Sequence, residues 1–264
     1  MKNSYDQWAD VYDDIYAYLT EDKDFYLEMA KDYVSGSVLE LGCGTGRITI
    51  PIWQNAIDIV GIDISPKMIE VAKAKVQKEK DEHILLDPGP KIDLLVGDMR
   101  DFQLNQKFKL IIIPFRGFLS LLTVDDQINT LNSIKKHMDK DTILVFDIFV
   151  PKEDIISKSD NLLYYFKDVR HDSRIGHSEV WHKTDYDLFN QRISSKIIVD
   201  EIGDKGKVVN RYYKDFEIRY IHRWEMHYLL KLAGYHIWDM FGDFEGSSFN
   251  EESREMVWVT AVGS

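Results

Sequence analysis

Residues 38–46 read VLELGCGTG, and this stretch decides the fold. Val38, Leu39 and Leu41 make a short apolar run of the kind that suits a strand buried on both faces, and Gly42, Gly44 and Gly46 follow it at alternate positions. A strand that turns sharply into a helix, with its backbone close to a ligand, needs residues without a Cβ. Such a triplet also suits a tight structural turn. The dinucleotide fingerprint G-x-G-x-x-G would set a pyrophosphate on the helix N-terminus. Here the third glycine comes one residue early, and Glu40 stands two residues before the first, where its charge would repel a pyrophosphate. The turn therefore favours a ligand with a cationic ammonium group and disfavours an NAD-type cofactor.

Working outward, IDIVGIDIS (57–65) ends in Asp63, about 20 residues after Gly42, the spacing at which a carboxylate receives ribose hydroxyls. Ser65 fills the N-cap role that would otherwise explain Asp63. Next, LLVGDMRDF (94–102) places Asp98 after the third strand. Its carboxylate can accept from an adenine amino group while the N–H of Met99 meets a ring nitrogen. Alone, Asp98 reads equally as a loop aspartate. The three strand ends together point to one nucleoside site.

The surrounding pattern is α/β. Apolar runs at Val38–Leu41, Ile57–Ile62, Ile92–Val96, Leu110–Ile113 and Ile143–Phe149 alternate with helical segments Ile48–Gln54, Pro66–Gln77 and Val124–Met138. The segment 79–91, with its DPGP, reads as loop. After Val150, Leu162–Asp168, Ser178–Tyr186, Ile193–Glu201 and Val208–Ile221 favour aromatic and β-branched residues, with a hairpin turn at Asp204-Lys205-Gly206. A helix at Arg223–Leu232 closes on Gly234, and strands at Tyr235–Met240 and Met256–Ala261 return to the main sheet. The expected architecture is a seven-stranded mixed sheet with helices on both faces, from residues 1–153 and 221–264, plus an antiparallel β insertion at 154–220 that caps the substrate site.

Bulk properties exclude several classes. The chain of 264 residues has a net charge of −12, which opposes nucleic-acid partners. The basic run KAKVQKEK (73–80) is interrupted by acid and spread around a helix. No stretch approaches the roughly 20 apolar residues of a membrane span. The start lacks a secretory core and Cys43 is the single cysteine, so a cytoplasmic location is expected.

As a set, VLELGCGTG, GIDIS and LLVGDMRDF resemble the motifs of class I S-adenosylmethionine (SAM) dependent methyltransferases, over roughly Val38 to Val150. YDQWADVYDDIY (5–16) is similar to the Y-D-x-x-A-x-x-Y-D segment of a branch acting mostly on small molecules, including glycine, sarcosine and amino-sugar N-methyltransferases. The resemblance implies a Rossmann-like fold and SAM as cofactor. It sets Glu40, Gly42, Cys43, Gly44, Thr45 and Arg47 around the methionine part, with Thr45 and Arg47 at the carboxylate and Tyr5 and Tyr12 covering that end. Asp63 takes the ribose, Gly97, Asp98 and Met99 the adenine edge, and Ile64 and Met68 pack nearby.

The family's methyl-transfer mouth falls in IIIPFRGFLSLL (111–122), which puts Pro114, Phe115 and Arg116 there. Arg116 could pair with a substrate carboxylate or equally with a neighbouring acid. Phe118, Leu119, Leu121 and Leu122 read as core. The cap supplies His171, His177, Trp181, His182, Tyr212, Tyr213, Tyr220 and His222, of which Tyr212 and His222 join Arg116 as candidate catalytic groups. No metal site is expected. The implied activity is N- or O-methylation of a small molecule. The alternatives are a protein methyltransferase and a non-catalytic SAM-binding protein, and the insertion is also a candidate homodimer interface.

Overall fold

The computed structural model describes residues 6, 9, 11–16, 18–32, 36–82, 89–156, 162–170 and 177–262. Two helices, α1 (Tyr12–Tyr16) and α2 (Glu21–Asp32), precede the first strand. Helix α2 is not marked in the sequence, because its run EDKDFYLEMAKD carries only a narrow apolar stripe; Tyr26 and Ala30, one turn apart, are fully buried. Then β1 (Val38–Leu41), α3 (Thr49–Gln54), β2 (Ile59–Asp63), α4 (Pro66–Glu82), β3 (Ile92–Val96), β4 (Leu110–Ile113), α5 (Val124–Lys135) and β5 (Ile143–Phe149) alternate as the hydrophobic pattern requires.

Boundaries shift for local reasons. Ser65 Oγ accepts the N–H of Met68 at 3.2 Å and so caps α4, with Pro66 in the first helical position. The helix runs past Gln77 to Glu82 because VQKEKDE consists of good helix formers. The expected loop therefore begins later, and its residues 83–88 lie outside the described ones. α5 ends at Lys135 rather than Met138, where the chain tightens into i→i+3 turns through the N–H groups of His137 and Met138.

The remainder comprises α6 (Glu153–Ile156), β6 (Tyr164–Arg170), β7 (His177–Asp187), β8 (Arg192–Ile202), β9 (Val208–Arg219), α7 (Arg223–Leu232), β10 (Tyr235–Phe241) and β11 (Glu255–Val262). The main sheet has the order β10-β11-β5-β4-β1-β2-β3, and β11 pairs antiparallel with both β10 and β5 while the other pairs are parallel. Its faces bury alternate residues of each strand. On β4, Ile111 and Ile113 join Phe146, Trp258 and Leu230, while Leu110 and Ile112 join Tyr26, Trp53 and Ile69 on the other face. Strand order reverses between β1 and β4, so a crevice opens at their carboxyl ends, where open α/β sheets bind ligands.

β6 to β9 form a separate antiparallel sheet in chain order. Gly206, at φ +67°, makes the turn between β8 and β9, and Gly203 N–H bonds Lys207 C=O at 3.0 Å beside it. The inner face of this sheet, through Val169, Val180, Ile197 and Val199, packs on Ala9, Val11, Ile15 and Met68. That packing brings β9 to the crevice of the main sheet.

Candidate active site

At the end of β1 the backbone turns through Gly42, Gly44 and Gly46, with φ of +77°, +55° and +83°. A Cβ on Gly46 would lie 2.9 Å from Ile50 Cδ1, so close packing and the left-handed backbone both exclude a side chain. A Cβ on Gly44 would meet nothing within 4 Å. That turn faces open space.

The turn is held by Asp63 at the tip of β2, whose carboxylate accepts the N–H of Gly44 at 2.9 Å and that of Ser65 at 2.8 Å. Burial raises its pKa although these amides favour the charged form. Glu40 is 2% exposed, accepts a short hydrogen bond from Thr49 Oγ1, and is pushed up to about 8 by burial. Cys43 lies beside it, buried, with its thiol pKa raised by the same desolvation. Past β3, Asp98 faces Arg100, whose Nε lies 3.0 Å from both carboxylate oxygens; this contact holds its pKa low.

Arg47 reaches away from the turn to Asp22 on α2, with Nη1 2.7 Å from Oδ1, to the Leu19 carbonyl at 3.2 Å, and across the Phe115 ring at 5.0 Å. Thr45 Oγ1 donates to Asp13 at 2.6 Å. These contacts fold the segment 11–22 against the glycine turn.

After β4, Phe115 and Arg116 are both left-handed, at φ +54° and +58°. This costs roughly 1–3 kcal/mol per residue, and it is held by Arg116 N–H donating to Asp147 on β5 at 2.9 Å. Asp147 is buried, also accepts from Tyr26 Oη at 2.7 Å, and is raised to about 7 by desolvation.

These groups surround one cavity of about 410 Å³, within the range of small-molecule sites. Glu40, Gly42, Cys43, Gly44, Thr45 and Arg47 line it from β1. Asp63, Ile64 and Met68 line it from β2 and α4, and Gly97, Asp98 and Met99 from the end of β3. Tyr12 of α1, with Pro114 and Phe115 after β4, completes this set. Tyr5 and His171 lie outside the described residues.

The expected catalytic groups fall elsewhere. The Arg116 guanidinium bonds Glu255 and stacks over Phe149 at 5.3 Å, which is the neighbouring-acid outcome. Tyr212 Oη meets the Asn210 side chain at 2.5 Å and Glu201 at 3.4 Å. His222 is exposed at the start of α7 against Tyr220. None of the three lines the cavity.

Phe118, Leu119 and Leu121 are core as read, though Leu121 also borders the cavity, and Leu122, read as core, lines it together with Ser120 and Asp126. The run FLSLL gave no sign of which residues face the crevice, because a 3-10 turn at Gly117–Ser120 breaks any helical period. From the cap come Phe216 and Glu217, neighbours on β9. Among the described residues Asp168, His177 and Glu179 cluster on β6 and β7, away from this cavity.

A crevice at the switch point, a glycine turn and three strand-end acids stand together in a Rossmann-like fold. Residues 38–141 match the family described as "Methyltransferase domain". The chain as a whole has the fold of SAM-dependent methyltransferases. The chain is 27% identical over 147 residues to the dTDP-3-amino-3,4,6-trideoxy-alpha-D-glucopyranose N,N-dimethyltransferase of Streptomyces venezuelae, covering 53% of this chain and 56% of that protein. It spans about half the length of such curated relatives, 55% and 56% for two of them.

In fold it is similar to a SAM-dependent methyltransferase from Clostridium acetobutylicum, with TM-score 0.78, 19% identity, and 99% of this chain and 100% of that chain covered. The CcbJ methyltransferase from Streptomyces caelestis also has TM-score 0.78, at 21% identity and full coverage of both chains.

Proposed function

We propose that this protein binds SAM in the crevice and transfers its methyl group to a small-molecule acceptor, with an amine nitrogen as the preferred acceptor atom. The observation that carries the reading is the buried Glu40 at an open glycine turn: desolvation holds its carboxyl at about 8 against the Thr49 hydrogen bond and the Arg47 charge, and an ammonium group beside it would stabilise the charged form. The donor, when bound, brings an activated sulfonium methyl, so catalysis rests largely on holding the acceptor in line.

In this reading Glu40, Gly42, Cys43, Gly44, Thr45 and Arg47 hold the methionine end under Tyr12. Asp63 holds the ribose, and Ile64, Met68, Gly97, Asp98 and Met99 enclose the adenine. Pro114 and Phe115 line the mouth, and residues 154–220 form the cap. The space behind Pro114 is open, bounded by Gly117, Ser120 and Glu217, as a transferase needs and a merely SAM-binding protein does not.

The walls favour a cationic acceptor. Glu40, Asp63, Asp98, Asp126 and Glu217 line the cavity against Arg47 and Arg100, and both guanidiniums already bind carboxylates. Glu217 faces in from the cap with Arg192 3.4 Å away, and is suited to receive an amine and its proton. The amino-sugar relative is consistent with this.

Calorimetric titration with SAM and with NAD is the test, followed by methyl transfer to amines and alcohols. Binding of SAM and not NAD is expected; tight NAD binding without SAM binding overturns the reading.

A further inference from the structure

Lys214 is 3% exposed in the middle of β9, on a face otherwise packed by Val169, Val180, Ile197 and Val199. Burying an ammonium there is costly, and a methionine of similar length would fill the space more cheaply. Its Nζ stands 5.7 Å from the centroid of the Tyr12 ring and 5.2 Å from that of Phe216, distances at which a ring face attracts a cation. Both rings line the cavity, one from α1 and one from the cap.

The contacts continue around the rim. Tyr12 meets Tyr16 at 4.8 Å, Tyr16 meets Phe115 at 5.2 Å, and Phe115 lies under Arg47, which is bound to Asp22. A belt of rings and cations thus joins the cap to α1, the turn after β4, the glycine turn and α2. At the other side of the cap sheet, Lys167 of β6 donates to the Ile15 carbonyl and stands 4.3 Å from the Tyr18 ring centroid, a second tie to the same segment.

We propose that Lys214 is a positioning residue, the clasp that holds Tyr12 against the cap and closes this belt over bound SAM. The ammonium is held against a real desolvation cost, since burial lowers its pKa to about 7. The clasp acts on ligand retention, so its loss falls on the dissociation rate. This rests on the SAM-binding reading above.

The test measures affinity and dissociation of SAM and of S-adenosylhomocysteine for the wild type, Lys214→Met and Lys214→Arg, beside thermal unfolding. Lys214→Met is expected to bind both about three- to tenfold more weakly, the range of one or two ring contacts, with an unchanged or higher unfolding midpoint. Lys214→Arg recovers most of the affinity. Lys214→Met binding as tightly as wild type, a loss that merely follows a lowered midpoint, or no recovery in Lys214→Arg overturns the clasp. A wild type that binds neither compound overturns both the clasp and the SAM reading.

Discussion

In the SAM-binding reading, the buried Glu40 carboxyl gives up a proton to receive an ammonium group. Its carboxyl stays protonated up to about pH 8, because desolvation outweighs the Thr49 hydrogen bond. Releasing that proton costs more the lower the pH, so SAM affinity is expected to rise from roughly pH 6 toward pH 8. Glu40→Gln has no proton to release. Calorimetry across this range should find that its affinity lacks the wild-type rise with pH and is roughly 10- to 100-fold weaker, the loss of a charge-assisted contact. Equal pH slopes for variant and wild type would reject the assignment. Glu40, Asp63 and Asp98 were legible in the sequence because each acts at the end of its own strand. The partners of Arg47 and Arg116 were not, since Asp22 and Glu255 lie 25 and 139 residues away and only packing brings them together.

Between β4 and the 3-10 turn, the left-handed pair Phe115 and Arg116 depends on a neighbouring strand. Asp147 of β5 takes Arg116 N–H on one oxygen and Tyr26 Oη on the other, so one carboxyl fixes both the mouth and α2. Asp147→Ala leaves two donors without their acceptor and is expected to cost about 2–4 kcal/mol, read by denaturant unfolding. It should also weaken SAM binding, because the Phe115 wall loses its support. Unaltered stability would show that the turn holds itself. Strands β1 to β5 and the antiparallel sheet of β6 to β9 were readable from apolar runs and from the change of composition after Val150. α2 was not, because its buried stripe is narrow, and the inward turn of Leu121 and Leu122 depends on backbone geometry that periodicity does not carry.

Across the whole molecule, buried acids set how stability responds to pH. Asp147 rises from 3.8 to about 7 and Glu40 from 4.5 to about 8, so the folded state binds these protons more tightly than the unfolded chain. Their contribution is complete at acid pH and is lost as pH climbs through those values. Lys214, lowered from 10.5 to about 7, runs the other way and relieves its penalty only above about pH 7. The protein is therefore expected to lose stability from about pH 5 to pH 7, with a smaller loss in Glu40→Gln, as followed by thermal unfolding in a buffer series without added ligand. A wild-type midpoint that climbs over that interval would contradict the buried-acid account.

The net charge of −12 gathers partly in this cavity, where Asp63, Asp98, Asp126 and Glu217, beside the protonated Glu40, meet two guanidiniums. The seclusion of Cys43 has a practical side. As the chain's one cysteine, buried and with a thiol that resists ionisation, it should ignore maleimides and mild oxidants. A second cysteine introduced at exposed Tyr213 of β9 would then take a fluorophore alone, and light emitted from that single point would report on the surroundings of this sheet as ligands are added, without touching the native thiol.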